Sequence, residues 1–182
     1  MNTYIVLLRG INVGGKTTLP MKALAALLEA LGAKQVKTDI QSSNGVLQPE
    51  AADTAALAEQ IAGAIAQEYS FAPHVLVLER AAFRPAMARN PFPEAVAEPA
   101  TLHLGFLGAL PPQPDLAKLE HLRAASQRFA LIDRVFYLHA RGGVGRSKLA
   151  AGAEKALGAP MTDRNWRTVE KIWALAGEAA PR

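Results

Sequence analysis

The sequence predicts an α+β protein built from two ferredoxin-like units, or alpha-beta plaits, each with an antiparallel sheet. Three observations carry this. Elements read from the first 80 residues run strand, helix, strand, strand, helix, strand, which is the order of a split βαβ plait. Hydrophobic spacing switches repeatedly between a period near two and one near 3.6, so strands and helices alternate. From residue 81 onward the same order returns, followed by one extra C-terminal helix. The division expected is an N-terminal plait over 1–80 and a plait-like domain over 81–182.

"TYIVLL" (Thr3–Leu8) is a continuous apolar run and reads as a buried strand. From Pro20 the period changes: Met21, Leu24, Leu27, Leu28 and Leu31 mark a helix that Gly32 stops. "VKTDIQ" (Val36–Gln41) alternates like a half-buried strand. "SSNG" (Ser42–Gly45) has turn chemistry, and "VLQ" (Val46–Gln48) returns as an antiparallel partner. Asp53 or Thr54 caps a second helix that turns Leu57, Ile61, Ala64 and Ile65 inward, and "HVLVLE" (His74–Glu79) closes the first plait.

A short helix near Ala81–Ala88 ends at "NPFP" and leads to the strand "TLHLGFL" (Thr101–Leu107). Asp115 caps a helix with Leu116, Leu119 and Leu122 on its inner face. Arg128–Ile132 and Val135–Ala140 form a hairpin around Asp133 and Arg134. "RGGVG" then opens a helix from Ser147 to Leu157. "APMT" reads as an edge strand, and Asn165 caps a final helix through Leu175.

The chain has 182 residues, 50% hydrophobic and 20% charged, and carries a net charge of +4. The apolar run before Arg9 is too short for a signal-peptide core or a membrane span, so a cytoplasmic protein with no membrane contact is expected. With no cysteine, a disulfide framework and thiolate chemistry are excluded. Positive charge concentrates within 141–173, where seven basic residues stand against three acidic ones. Such a region attracts phosphate, nucleic acid or acidic metabolites, or forms a solvated face with ion pairs.

"GINVGGKT" matches the phosphate-loop pattern G-x-x-x-x-G-K-[ST] at Gly10, Gly15, Lys16 and Thr17. A true phosphate loop starts its helix near Gly15, which would place Pro20 in the helix interior. There Pro20 loses a backbone bond and clashes, at a cost of about 3 kcal/mol. Asp133 and Glu79 are weak magnesium partners, and the Val36–Gln48 hairpin breaks the winding of parallel strands that this fold needs. A nucleotide triphosphatase is therefore disfavoured.

Arg9 leaves a buried strand into a glycine-rich loop, where its planar fork suits a carboxylate or phosphate. Asn12 and Lys16 add donors there, or else Arg9 and Asn12 tie the loop down. Ser42, Ser43 and Asn44 are a polar set or simply a turn. In "RGGVGRSK", Gly142, Gly143 and Gly145 permit a backbone nest, and Arg141, Arg146, Ser147 and Lys148 flank the coming helix start. Arg164, Asn165, Trp166 and Arg167 combine charge, a cap and an aromatic ring that either stacks a base or packs on its own helix. His74, His103, His121 and His139 lack metal-ligand spacing, so no metal is expected. No cofactor is implied, and no catalytic residue can be named.

Five motifs stand in order along the chain: "LLRGINVGG", "PM" at Pro20–Met21, "IQSSN" at Ile40–Asn44, "NPF" at Asn90–Phe92 and "RNWRTV" at Arg164–Val169. Together they resemble the uncharacterised bacterial family known as domain of unknown function 1697. The resemblance implies a pair of ferredoxin-like plaits and no established activity. The family stresses the arginine, the I-N-V-G-G run and the later P-M, with no hydroxyl required after Lys16. Where the family has S-G-N, this chain has Ser42-Ser43-Asn44, which shifts the turn toward Gly45.

The leading functional expectation is binding of an anionic small molecule or nucleotide in a polar, basic groove. Arg9, Asn12 and Asn44 would line it with Arg164, Asn165 and Trp166, and Gly143, Gly145, Ser147 and Lys148 would form a separate anion loop. Nucleic acid is a variant of this reading. The alternatives are an enzyme acting on a phosphorylated or carboxylated metabolite, using charge stabilisation from Arg9 and Arg164, and a structural or interaction module. Oligomeric state is not legible.

Overall fold

A computed structural model describes residues 2–12, 14, 15, 17–39, 43–49 and 53–179. The chain divides into two compact units, Met1–Pro85 with Glu170–Arg182, and Ala86–Val169. The division expected at residue 80 places all of the C-terminal helix in the second unit, whereas from Glu170 it belongs with the first.

In the first unit, β1 (Tyr4–Arg9), α1 (Met21–Ala30), β2 (Lys34–Asp39), β3 (Asn44–Gln48), α2 (Thr54–Tyr69) and β4 (His74–Glu79) follow the predicted order. The strands form one antiparallel sheet in the order β2-β3-β1-β4. Because strand side chains alternate between faces, Tyr4, Val6 and Leu8 turn together toward the helices. There they share a core with Leu24 and Leu28 of α1 and Ile61 and Ile65 of α2. Asp53 caps α2 by accepting the N–H groups of Ala55 and Ala56 at 2.9 and 3.1 Å.

Helix α3 (Arg80–Ala88) continues directly from β4 and holds Pro85 inside it. The last helix of the chain spans Trp166–Glu178 and reaches the opposite face of this first sheet. Gln48, on the face away from Leu47, donates its Nε2 to the carbonyl of Ala179 at 2.7 Å. Lys37 pairs with Glu178 at 3.0 Å, and the Arg80 guanidinium lies 4.3 Å from the ring centre of Trp173.

The opening loop does not run into a helix at Gly15–Thr17, as a phosphate loop does. Helix α1 begins only at Met21, with Pro20 at its N-cap in extended conformation (φ −61°, ψ 136°), so Thr17 lies outside any helix. The loop folds on itself instead, with the Asn12 N–H on the carbonyl of Thr17 at 2.8 Å. Lys16, the residue that would reach a phosphate, lies outside the described residues, as do Ile40, Gln41 and Ser42.

Two local expectations are corrected. Asn44 and Gly45, expected in a turn, are strand residues that pair with Leu7 and Val6, because β1 is long enough to extend its ladder that far. Strand β2 starts two residues early, and Gln35 at φ +51° sits in an irregularity between Lys34 and Lys37. A bulge of this kind adds a residue and resets the alternation that marks the strand in the sequence.

The second unit repeats the plan with β5 (Leu102–Leu107), α4 (Leu116–Leu122), β6 (Gln127–Ile132), β7 (Val135–Ala140), α5 (Lys148–Leu157) and β8 (Met161–Asn165), after which the last helix follows as α6. Its antiparallel sheet has the order β6-β7-β5-β8, which matches the first sheet position for position. Leu107, Phe136, Leu138 and Ala140 face Leu119 of α4 and Leu149, Ala153 and Leu157 of α5. Leu116, expected inward, is 51% exposed, since a helix of only seven residues seats one buried leucine, Leu119. The edge strand is β8 and runs to Asn165, three residues beyond the "APMT" expected to form it. Among the described residues, no helix is long and apolar enough to cross a membrane.

Candidate anion-binding pocket

A concavity of the second unit lies where the start of α5 meets the end of α4. After β7 the chain must turn sharply, and Gly143 permits this with φ +77° and its N–H on the carbonyl of Ala140 at 2.8 Å. A second tight turn follows, with the Ser147 N–H on the carbonyl of Val144 at 3.0 Å. Ser147 then caps α5, its Oγ accepting the N–H of Ala150 at 3.0 Å.

The opposite wall comes from the α4–β6 connection. Arg123, just past the end of α4, donates from Nε to the Glu120 carboxylate at 2.8 Å and from Nη1 to the carbonyl of Gln127 at 3.0 Å. A further contact joins its Nη2 to Glu120. These bonds hold the Glu120 carboxyl below its usual range and push the Arg123 guanidinium up. Gln127 is buried and bridges the walls: its Oε1 accepts the Ala124 N–H at 3.1 Å, and its Nε2 donates to Ser147 Oγ at 2.9 Å.

The resulting pocket measures about 490 Å³ and is lined by His121, Arg123, Gln127, Gly143, Arg146, Ser147 and Lys148, among others. Arg123 is neutralised by Glu120. Among the described residues, the Arg146 and Lys148 side chains make no hydrogen bond or ion pair. They stand at the N-terminus of a ten-residue helix, whose first N–H groups have no intrahelical acceptor and whose dipole is positive. An anion would therefore meet two uncompensated cations at the positive end of a helix dipole.

Of the residues singled out from sequence, Gly142, Gly143, Arg146, Ser147 and Lys148 line this pocket, while Arg141 and Gly145 belong to its loop without lining it. The other set is distributed differently. Arg9, Asn12 and Asn44 belong to the first unit, and Arg164, Asn165 and Trp166 to the second. Arg9 is exposed at the end of β1, opposite His74 in the ladder. Asn12 spends its amide on loop closure, donating to the Leu19 carbonyl at 3.0 Å and accepting the Leu19 N–H at 2.9 Å. Asn44 is fully buried in β3.

Arg164 is largely enclosed, with Nη1 on the carbonyl of Asp163 at 2.7 Å, and burial lowers its guanidinium to about 10. Asn165 caps α6 through Oδ1 on the Thr168 N–H at 3.0 Å, as its sequence position suggests. The Trp166 ring is buried and presents no open face for stacking a base.

His121, Arg123 and Gln127 escape sequence reading because nothing local marks them. Only the topology brings the α4–β6 connection beside a loop about 20 residues later. A second cluster that the sequence does not reveal surrounds "NPF". The Arg128 guanidinium lies 4.7 Å from the Phe92 ring centre, donates to His139 Nδ1 at 3.0 Å and bonds Glu94. Burial, reinforced by Arg128, holds His139 below its usual value. Asn90 accepts the Phe92 N–H at 3.0 Å, so this motif is a fastened turn.

Residues 1–137 match a family model described as "Protein of unknown function (DUF1697)". The match stops before Arg141, so it covers the α4 side of the pocket and not the loop that leads into α5. A solved structure described as conserved bacterial protein SP0830 from Streptococcus pneumoniae is similar at a TM-score of 0.72 and 24% identity. The similarity covers 96% of this chain and 98% of that one, and at this identity it carries the fold alone. No curated protein matches the chain.

Proposed function

The chain belongs to the DUF1697 family, and we propose that it binds an anionic small molecule or nucleotide in the pocket between α4 and the start of α5. The observation that carries this reading is the pairing of Arg146 and Lys148, neither bonded to another side chain or carbonyl among the described residues, with a helix N-terminus in one concavity. A volume near 490 Å³ lies within the range of small-molecule sites, about 300–1,000 Å³. Positive charge alone suits a surface that meets nucleic acid, but a concave wall favours a discrete ligand.

The test is a thermal-shift and calorimetric screen of inorganic phosphate, phosphorylated metabolites, nucleotides and short oligonucleotides. A ligand at 100 times its Kd stabilises the folded protein by about 2.7 kcal/mol. The double substitution R146A/K148A removes that stabilisation, whereas R9A and R164A leave it in place. A ligand lost on R9A or R164A and retained by R146A/K148A would move the site away from α5.

A further inference from the structure

The strands that end each sheet are β2 and β4 in the first unit and β6 and β8 in the second. The outer main-chain groups of such a strand pair with another chain unless something blocks them. On β2 the irregularity at Gln35 breaks the row, and Lys34 and Lys37 add charge. β4 is buried along its middle, at Val75, Leu76 and Val77. On β8 the Glu154 carboxylate accepts the Met161 N–H at 2.9 Å, and Arg164 Nη1 covers the Asp163 carbonyl.

β6 carries no such device over Phe129, Ala130 and Leu131. It has no proline, no lysine and no register irregularity against β7. Its one charge, Arg128, is bonded to Glu94. Gln127 fixes which groups face outward. Its N–H bonds the Ala124 carbonyl at 2.9 Å and its carbonyl accepts Arg123 at 3.0 Å, so both point away from β7. Alternation in an antiparallel pair then turns the N–H and C=O of Phe129 and Leu131 outward as well, while those of Ala130 face Tyr137. Among the described residues, nothing bonds these outward groups. Phe129, Leu131 and Ile132 beside them are apolar and only partly buried.

From this row we infer that β6 is a dimerisation edge, and that it pairs with β6 of a second copy of this chain, antiparallel and centred on Ala130. The row is its own complement. A two-fold axis at Ala130 sets Phe129 against Leu131 of the partner subunit, each supplying the N–H and the C=O that the other needs. Ala130 then meets the partner's Ala130 at the close, non-hydrogen-bonded position, where Cα atoms stand about 4.5 Å apart and a small side chain fits. Arg128 lies opposite the partner's Ile132, so no like charges meet across the seam. Registers centred on Phe129 or Leu131 fail. They set one of these residues against Gln127, whose main-chain groups are used, or against Asp133 in the hairpin turn at φ +51°. The four-stranded sheets of the two copies join into one continuous sheet.

The experiment follows the mass of the full chain by sedimentation velocity from low to high micromolar concentration. The parent shifts from monomer toward dimer as concentration rises. Ala130→Lys and Ala130→Glu each set like charges against one another on the axis, and each weakens association at least about tenfold. An equal mixture of the two variants dimerises again, because the introduced lysine and glutamate meet across the seam. A loss caused by misfolding is not rescued in this way. In the parent, amide exchange at Phe129 and Leu131 slows as concentration rises, while Ala130 is protected throughout.

A parent that stays monomeric over that range overturns the inference. So does a dimer that both substitutions leave intact, or a mixture of the monomeric variants that fails to associate. If the variants do not fold, amide exchange in the parent decides. Rates at Phe129 and Leu131 that do not change with concentration overturn the pairing.

Discussion

His103 and Asp163 make the sharpest stability prediction. His103 lies on β5 with only 8% of its surface exposed. Its Nδ1 is 2.7 Å from Asp163 Oδ2 on β8, and its Nε2 is 3.2 Å from the carbonyl of Ala100. A carbonyl can only accept, and an ionised carboxylate can only accept, so both ring nitrogens are placed to donate. That arrangement is complete only in the imidazolium. Burial works to lower the His103 pKa, but the bond and charge of Asp163 together with the Ala100 carbonyl outweigh it and raise the pKa.

The perturbation is Asp163→Asn. A charge-assisted hydrogen bond contributes about 1.5–3 kcal/mol. Asp163 is 45% exposed, so solvent screening brings the expected loss toward about 1–2 kcal/mol. Because the folded-state pKa is raised above that of the unfolded chain, the contribution is fully present below the unfolded value, near 6.5. It disappears as pH rises through the folded-state value. Urea unfolding of parent and D163N from about pH 5.5 to 9 measures this directly. The parent's advantage is largest at the acid end and shrinks as the imidazolium deprotonates. A difference constant across that range, or an NMR titration of His103 at or below about 6.5, would refute the reasoning.

Thr162 on β8 is fully buried, and its hydroxyl finds no hydrogen-bond partner among the described residues. Thr162→Val keeps the shape and removes an unsatisfied polar group, so it stabilises by about 1 kcal/mol or more. In a protein of this size that raises the melting midpoint by about 2–4 °C per kcal/mol, and a lower midpoint would contradict the prediction. Asn12→Ala removes both bonds to Leu19 and places alanine at φ +56°, which costs about 2 kcal/mol in chemical denaturation. Its affinity for a ligand in the α5 pocket stays at the parent level, whereas a functional Asn12 would lower affinity with little change in stability. Leu119→Ala, at the fully buried contact of α4 with the second core, costs about 2–5 kcal/mol in the same unfolding measurement, and a loss below about 1 kcal/mol would contradict its place in that core.

Most of the architecture is legible in the sequence because strand and helix periods are clean in this chain. Val135–Ala140 and His74–Glu79 stand out to the residue, as continuous apolar or alternating runs bounded by turns. Pro20 is enough to separate the opening loop from a nucleotide cradle, because its ring fixes where α1 can begin. Asn44 misleads since Ser, Asn and Gly are equally at home in turns, and only pairing with Leu7 makes it a strand residue. Half of the candidate pocket is visible as a glycine-rich run with flanking bases. The other half, Arg123 and Gln127, is ordinary in sequence and becomes significant only through the bonds that join the end of α4 to β6 and Ser147.

The most direct test of the central claim is a residue-resolved one. Amide chemical shifts are followed while a phosphomonoester is titrated into isotopically labelled protein. Saturable shifts are expected to concentrate at Gly143, Ser147, Lys148 and Leu149, with smaller changes at Arg123 and Gln127. Shifts confined to Arg9–Gly15, or to Arg164–Trp166, would contradict it.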